Sequence, residues 1–307
     1  MCAQQYDIQM LQQFDPRNKD LIVNINGELL HRDNAGISPF DSLVQGGDGV
    51  WEGLRLYKGG IFRLDTHLKR LRSSALALGF ADIPSFDEIR HQIRRTLEAN
   101  KMNDNVHIRL TLSRGEKITS GMDPRLNTKG VTLIVLAEYK PPVYDKTGLK
   151  LITSSVRRFD PDMLDPNVHH NNLIQSILAK IEANAAGVDD ALMLDSRGFL
   201  AETNATHVFL VSEGVLLTPS TRACPEGVTR DTVLKICAKN NIPFEVCDLS
   251  LTAVYRSDEM FCTGTMGEIA AVSEVDGRRI GDGEVGPMAS QISLLFSEHV
   301  QLHCEAP

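Results

Sequence analysis

Little in the 307 residues points toward nucleic acid, a membrane or an oxidising compartment. Basic residues are outnumbered, 32 Lys and Arg against 40 Asp and Glu, for a formal net charge of −8 at pH 7. A chain of that sign does not neutralise many nucleic-acid phosphates or settle on an anionic bilayer. No run approaches the roughly 20 apolar residues needed to cross one. The six cysteines, Cys2, Cys224, Cys237, Cys247, Cys262 and Cys304, form no CxxC pair and no His/Cys zinc spacing. No metal site is expected, and the cysteines read as reduced thiols. The opening stretch MCAQQYDIQMLQQFDPRNKD has no apolar core ahead of a small-residue cleavage site. No secretory signal is expected there, and the expected location is the cytoplasm. Aromatic residues make up 6%, with one tryptophan, Trp51. One shortage is local: between Lys150 and Lys180 there is no lysine.

What is present suits small-molecule work. An apolar content of 42% in a chain of this length supports a sizeable core, divided between two domains. DLIVNINGELLHRD carries an NG turn between β-prone runs and predicts a hairpin, and VWEGLRLYKGGIFRL repeats the pattern around GG. DTHLKRLRSSALALGF places Leu68, Leu71, Ala75 and Leu78 at helical spacing, and SFDEIRHQIRRTLEANK opens on a Ser cap with the same period. NVHIRLTLSRG and GVTLIVLAEY follow as strands. Strands, two helices and strands again predict an α+β domain over residues 1–138. The proline pair in 139–148 marks an interdomain linker, leaving 149–307 as the second domain. There NLIQSILAKIEANAAG predicts a helix ended by Gly187, the stretch to LLTP three short strands, and GVTRDTVLKICAKNN another helix. EMFCTGTMGEIAAVSEVDGRRIGDG then predicts a strand, a Gly/Thr turn and a hairpin.

Three small-residue turns in the second half join β-prone sequence to polar or helical segments: ETNAT (202–206), EGVTRDTV (226–233) and TGTMGE (263–268). Such turns aim backbone N–H groups and hydroxyls at an anion, and a helix starting at one adds its positive end. Each can also be a plain turn, with Thr229 capping the helix behind it.

These stretches, with VNINGELL, FRLDTHLKRL and NNLIQSILAKIEANAAGVDDALMLDSRGFLAETNATHVFLV, carry a resemblance over nearly the whole chain, from about Asn24 to Pro287. The chain resembles the class IV pyridoxal-phosphate (PLP) aminotransferases, the fold type IV group of branched-chain and D-amino-acid aminotransferases and aminodeoxychorismate lyase. The resemblance implies the two-domain α+β architecture of that group, with 149–307 as a C-terminal, α/β-barrel-like cofactor domain. It also implies PLP as cofactor, amino acids and 2-oxo acids as substrates, and a homodimer.

Residue by residue, the resemblance puts Arg70 on the PLP phosphate, where a planar fork of donors suits a dianion. Val228, Thr229 and Thr265 match the phosphate cradle. Glu202 matches the carboxylate that keeps the pyridine nitrogen protonated and the ring electron-withdrawing. Trp51, His107 and Arg109 fall at the substrate pocket, Arg109 as a carboxylate ligand. His107 and Asn172 stand where branched-chain members carry tyrosines. Read without the resemblance, Arg70 is a solvated helix residue, Trp51 a core residue and Glu202 a strand-end surface acid.

The family's lysine joins PLP covalently and moves the substrate proton, serving as nucleophile and as acid. The resemblance puts it four residues before Asn171, where Asn167 stands, or in an alternative register with one residue fewer before the helix at His169 or Val168, and no register recovers a lysine. Lys180 is about 15–20 Å further along at ~1.5 Å rise per residue and reads as a solvated helix residue. His169 and His170 could move protons but form no stable imine. Glu226 lies beside the cradle, where an inward-facing acid would oppose a phosphate. Two functions remain open: an aminotransferase of impaired or altered chemistry whose PLP is held non-covalently, and a non-catalytic homologue that binds PLP, phosphate or a partner. A third, aminodeoxychorismate-lyase-like elimination, needs the same missing lysine.

Overall fold

The computed structural model describes residues 14–142, 144 and 148–307. Residues 1–13, most of the stretch read for a leader, lie outside the described residues, as do 143 and 145–147 of the expected linker. The chain divides into two compact units. One, here the N-terminal unit, holds residues 15–141, 168–173 and 299–307; the C-terminal unit holds the other described residues.

The N-terminal unit opens with the NG hairpin, β1 (Ile22–Ile25) and β2 (Glu28–His31). Its turn places Asn26 at φ 51° and Gly27 at φ 86°, the two left-handed residues that a two-residue hairpin turn requires. A short helix α1 (Ser42–Gly46) leads into β3 (Gly49–Tyr57) and β4 (Gly60–Phe62). Helices α2 (Leu64–Ala77) and α3 (Phe86–Ala99) follow, then β5 (Val106–Ser113) and β6 (Thr132–Tyr139). A seven-stranded antiparallel sheet results, in which the short strand Cys304–Glu305 adds to β4 and the order continues β3, β5, β6, β1, β2.

Strand alternation sorts the side chains of this sheet. Val50, Leu54 and Leu56 of β3 and Ile108, Leu110 and Leu112 of β5 join one core with Leu64, Leu68, Leu71 and Ala75 of α2 and Ile89, Ile93 and Leu97 of α3. The helical spacing read from the sequence is the buried face of α2. The intervening residues Trp51, His107 and Arg109 are half-buried on the other sheet face. Glu52 breaks the pattern, a carboxylate at a core-facing position with no exposed surface.

The C-terminal unit begins with β7 (Leu149–Thr153), α4 (Ile174–Ala186) and β8 (Asp190–Leu194). β7 and β8 pair in parallel, so α4 is their crossover, and Gly187 ends it at φ 70°. Where three strands are expected over the next stretch there are four: β8, β9 (Leu200–Thr203), β10 (His207–Ser212) and β11 (Val215–Thr218). The extra break is the ETNAT turn, where the Thr203 hydroxyl accepts hydrogen bonds from the Ala205 and Thr206 N–H groups. α5 (Val228–Lys239), β12 (Phe244–Val246), α6 (Leu251–Arg256), β13 (Glu259–Gly264), β14 (Glu268–Val275), β15 (Arg278–Arg279) and α7 (Pro287–Leu302) complete the order. Their sheet runs β12, β11, β10, β13, β14, β7, β8, β9, with β15 on β14. Among the described residues no helix is long and apolar enough to cross a membrane.

The Ser85 signal is a full capping box: its side chain accepts from the Glu88 N–H while the Glu88 carboxylate takes the Ser85 N–H. Ser85→Ala should cost about 1 kcal/mol of stability, read as a lower urea midpoint with an unchanged denaturant slope.

Candidate cofactor and active site

In the N-terminal unit the site is built around Glu52. Its Oε1 accepts from Arg70 Nε at 2.8 Å and its Oε2 from Arg70 Nη2 at 2.7 Å, a two-point grip by the planar guanidinium. Arg70 is therefore not the solvated helix residue that its spacing allows. His67, one turn earlier on α2, sets Nδ1 2.6 Å from Glu52 Oε2. A carboxylate only accepts, so that nitrogen carries the proton. Burial works against ionising Glu52, but the Arg70 guanidinium and the His169 ring outweigh it and hold the carboxyl well below its usual range.

Residues 168–173 lie along the start of β3. Trp51 N–H donates to the His169 carbonyl at 3.0 Å and Asn171 N–H to the Gly49 carbonyl at 2.8 Å. His169 Nδ1 lies 2.5 Å from the Trp51 carbonyl and 3.5 Å from Glu52 Oε1. Both partners are acceptors, which fixes the Nδ1–H tautomer and makes Nε2 the basic atom. The imidazole stacks on Trp51 with centroids 4.3 Å apart. The Arg109 guanidinium lies 3.4 Å from the Trp51 ring centroid and donates to Asn171 Oδ1 at 2.9 Å. Trp51 Nε1 reaches the His170 carbonyl at 3.1 Å. Trp51, Arg109, His169 and Asn171 thus form one contiguous group, and Trp51 is more than core filler. Burial draws Arg109 down to about 10, against the pull of Glu52. His107 sits two residues earlier on the same face, its Nε2 against Gly53, where an added Cβ would lie 3.4 Å away. Sequence reading missed Glu52 and His67; a carboxylate in phase with Val50 and Leu54 was the available signal.

In the C-terminal unit Glu202 is buried, not a surface acid. Arg158 pairs with it at 2.9 Å and extends Nε to the Ala223 carbonyl at 3.2 Å. His207 opens β10, its Nε2 2.7 Å from the Pro225 carbonyl and 4.0 Å from Glu202. It is the register partner of Thr263 across β10 and β13, and its ring fills the space over Gly227, where a Cβ would come within 2.4 Å. One imidazole therefore joins the GVTR and TGT turns and Glu202, and no sequence motif announced it. Gly227 is the N-cap of α5 and has no side chain with which to cap the helix. Thr229 is accordingly a buried first-turn residue beside Val228 and not the cap. Thr265 is half-buried just past β13, and Thr263 Oγ1 is buried without a partner among the described residues. Glu226 is exposed.

Glu202, His207 and Cys224 bring one ligand atom each within 4.8 Å of one another. Arg158 already holds the carboxylate, the Pro225 carbonyl requires a proton on His207 Nε2, and burial pushes the Cys224 thiol upward. The donor set belongs to an ion-pair network, not to a cation.

Asn167 is exposed and hydrogen-bonded to Asp165 through its backbone N–H at 2.9 Å and its amide at 3.2 Å. Lys180 is not merely solvated: Nζ donates to the Asp189 carbonyl and lies 3.2 Å from Asp190.

The family model for amino-transferase class IV matches residues 49–275. The chain belongs to that family. It is 51% identical over 284 residues to branched-chain-amino-acid aminotransferase-like protein 2 of Arabidopsis thaliana, covering 92% of this chain and 51% of the relative. The chain thus spans about half the length of that relative. It is 39% identical to the putative branched-chain-amino-acid aminotransferase of Methanocaldococcus jannaschii, over 90% of this chain and 95% of the relative. A solved T.th. branched-chain amino acid aminotransferase, complexed with N-(5'-phosphopyridoxyl)-L-glutamate, matches with TM-score 0.86 and 32% identity over 93% of this chain and 95% of its own. The family and these neighbours establish the fold type IV architecture and imply pyridoxal phosphate as the cofactor.

The titration of this class IV fold carries a test. Burial lowers His67, His169 and His107, the last to about 3. A histidine depressed in the folded state takes its proton only on unfolding. Stability is therefore full above about pH 6.5 and falls as pH drops toward 3. His107→Gln should remove its share, about 1–2 kcal/mol of the loss between pH 6.5 and 5, in urea titrations at the two pH values.

Proposed function

We propose that this chain is a PLP-dependent aminotransferase-family protein for branched-chain-like amino acids and 2-oxo acids that holds PLP without a covalent bond. The observation that carries the reading is a contrast: the groups that would hold PLP are formed in each unit, and the amine that would tether it is absent. In the N-terminal unit Arg70, and in the C-terminal unit Val228 and Thr229 at the start of α5 together with Thr265, are the phosphate-binding groups that the family resemblance implies. The buried Glu202 would face the pyridine nitrogen. The orphaned Thr263 hydroxyl and the uncapped start of α5 fit an anion at the cradle. When bound, PLP supplies an electron sink for a substrate carbanion.

This chain's residues supply orientation and proton transfer. Arg109, braced on Trp51 and Asn171, would take a substrate carboxylate. His169, with Nδ1–H held by the Trp51 carbonyl, offers Nε2 as a base; His107 and His170 flank it in the proposed pocket. Asn167 offers neither a nucleophile nor a base, so turnover is slow. Branched-chain substrates are drawn from the relatives, and a homodimer from the family resemblance read in the sequence. The alternative, a binding module without turnover, is favoured by the Asn167 amide being engaged with Asp165.

PLP should be removable by dialysis, and borohydride should fix none of it to the chain. Arg70→Ala should weaken PLP binding at least tenfold more than Lys69→Ala, a loss of ~1.4 kcal/mol or more. A phosphopyridoxyl-lysine peptide, or equal effects of the two variants, would overturn the reading.

Asn167→Lys should give a borohydride-reducible link to PLP and raise the amino-group half-reaction by several orders of magnitude, roughly 10² or more for each restored role. A lysine variant that forms no link at saturating PLP would make the binding-module reading the better one. Native turnover equal to that of the variant would assign the chemistry to another base.

A further inference from the structure

The carboxylate of Glu52 is the one charged group of β3 on the core face, and it is fully buried. Four contacts hold it, from two separate stretches of chain: Arg70 Nε at 2.8 Å, Arg70 Nη2 at 2.7 Å and His67 Nδ1 at 2.6 Å from α2, and His169 Nδ1 at 3.5 Å. A buried ion pair is weak evidence for stability, because an apolar pair of the same volume often serves as well. Its distinguishing property is geometric. Two parallel hydrogen bonds fix the plane of a guanidinium, which single-point pairing leaves free to rotate. Nε and one Nη2 hydrogen are thereby fixed on Glu52. His67 holds Oε2 from the helix, so the carboxylate cannot swing and carry the guanidinium with it.

We infer that Glu52 is a positioning residue for anion recognition: it orients Arg70 toward the cofactor phosphate, and His67 keeps Glu52 in that orientation. The inference rests on the reading of Arg70 as a phosphate ligand and goes beyond it. Two effects oppose each other here, and their signs differ. By charge alone, an acid beside Arg70 weakens phosphate binding, so its removal should tighten it. By orientation, its removal should loosen binding. The inference states that orientation wins.

The test is equilibrium dialysis of the full chain with PLP and, separately, with pyridoxal, which lacks the phosphate. Glu52→Gln should weaken PLP binding roughly tenfold, on the scale of a charge-assisted two-point contact, and leave pyridoxal binding unchanged, so that the preference for PLP over pyridoxal collapses. General damage to the fold would lower both affinities together. A preference that is unchanged or increased in Glu52→Gln overturns the inference. If that variant does not fold, His67→Phe keeps the Arg70–Glu52 pair and removes only the bond that steadies it. It should lower the preference severalfold, and an unchanged preference there overturns the inference equally. Arg70→Ala separates this failure from the other. If Arg70→Ala leaves the preference intact, the phosphate assignment of Arg70 is wrong; if Arg70→Ala abolishes it and Glu52→Gln does not, the positioning role is wrong.

Discussion

A buried carboxylate must be paired, and the N-terminal unit is arranged around that requirement. Glu52 sits among the core-facing residues of the longest strand of its sheet, where an unmatched charge would be prohibitive. The answer comes from α2, which turns Arg70 and His67 inward on the same face that supplies Leu64, Leu68 and Leu71 to the core. The same helix face thus carries both the apolar contacts with the sheet and the ion pair with Glu52. Residues 168–173 lie against the same strand, which brings His169 to Glu52 and stacks it on Trp51.

The C-terminal unit meets the same constraint differently. Glu202 is buried at the end of a short strand, and its charge is balanced by one arginine, Arg158, that also bonds the Ala223 carbonyl. His207 occupies the space that a side chain at position 227 would need, which explains the glycine ahead of α5 in terms of contact. A helix start that neither a capping side chain nor a Cβ obstructs leaves backbone N–H groups as its recognition chemistry.

On the proposed reading, recognition and chemistry are separable in this scaffold. Groups that would recognise a phosphate or a ring nitrogen act through charge and hydrogen bonding, whereas the nucleophile would come from a stretch, residues 151–179, that holds no lysine. Asn167 forms a local bond to Asp165. Lys180, at the far end of the gap, does not compensate, because its ammonium is committed to Asp190. Family membership establishes the fold and implies the kind of cofactor; it does not by itself establish activity.

The sequence by itself determined the local elements whose causes are local. The NG hairpin follows from two left-handed residues, α3 from its capping box, the end of α4 from Gly187, and the core face of α2 from the spacing of Leu68, Leu71 and Ala75. The absence of lysine between Lys150 and Lys180 is equally a property of the chain, since no fold can put a lysine where none is encoded. Periodicity could not give the partners of charged groups. Arg70 read as a solvated residue and Glu202 as a surface acid, because burial of a polar group depends on what packs over it, not on its neighbours in sequence. Glu52 and His169 are 117 residues apart and His207 and Thr263 are 56 apart, so no motif window contains either pair. Only the tertiary structure decided which charges are buried together, and the physical reason is that electrostatic pairing acts through space while hydrophobic periodicity acts along the chain.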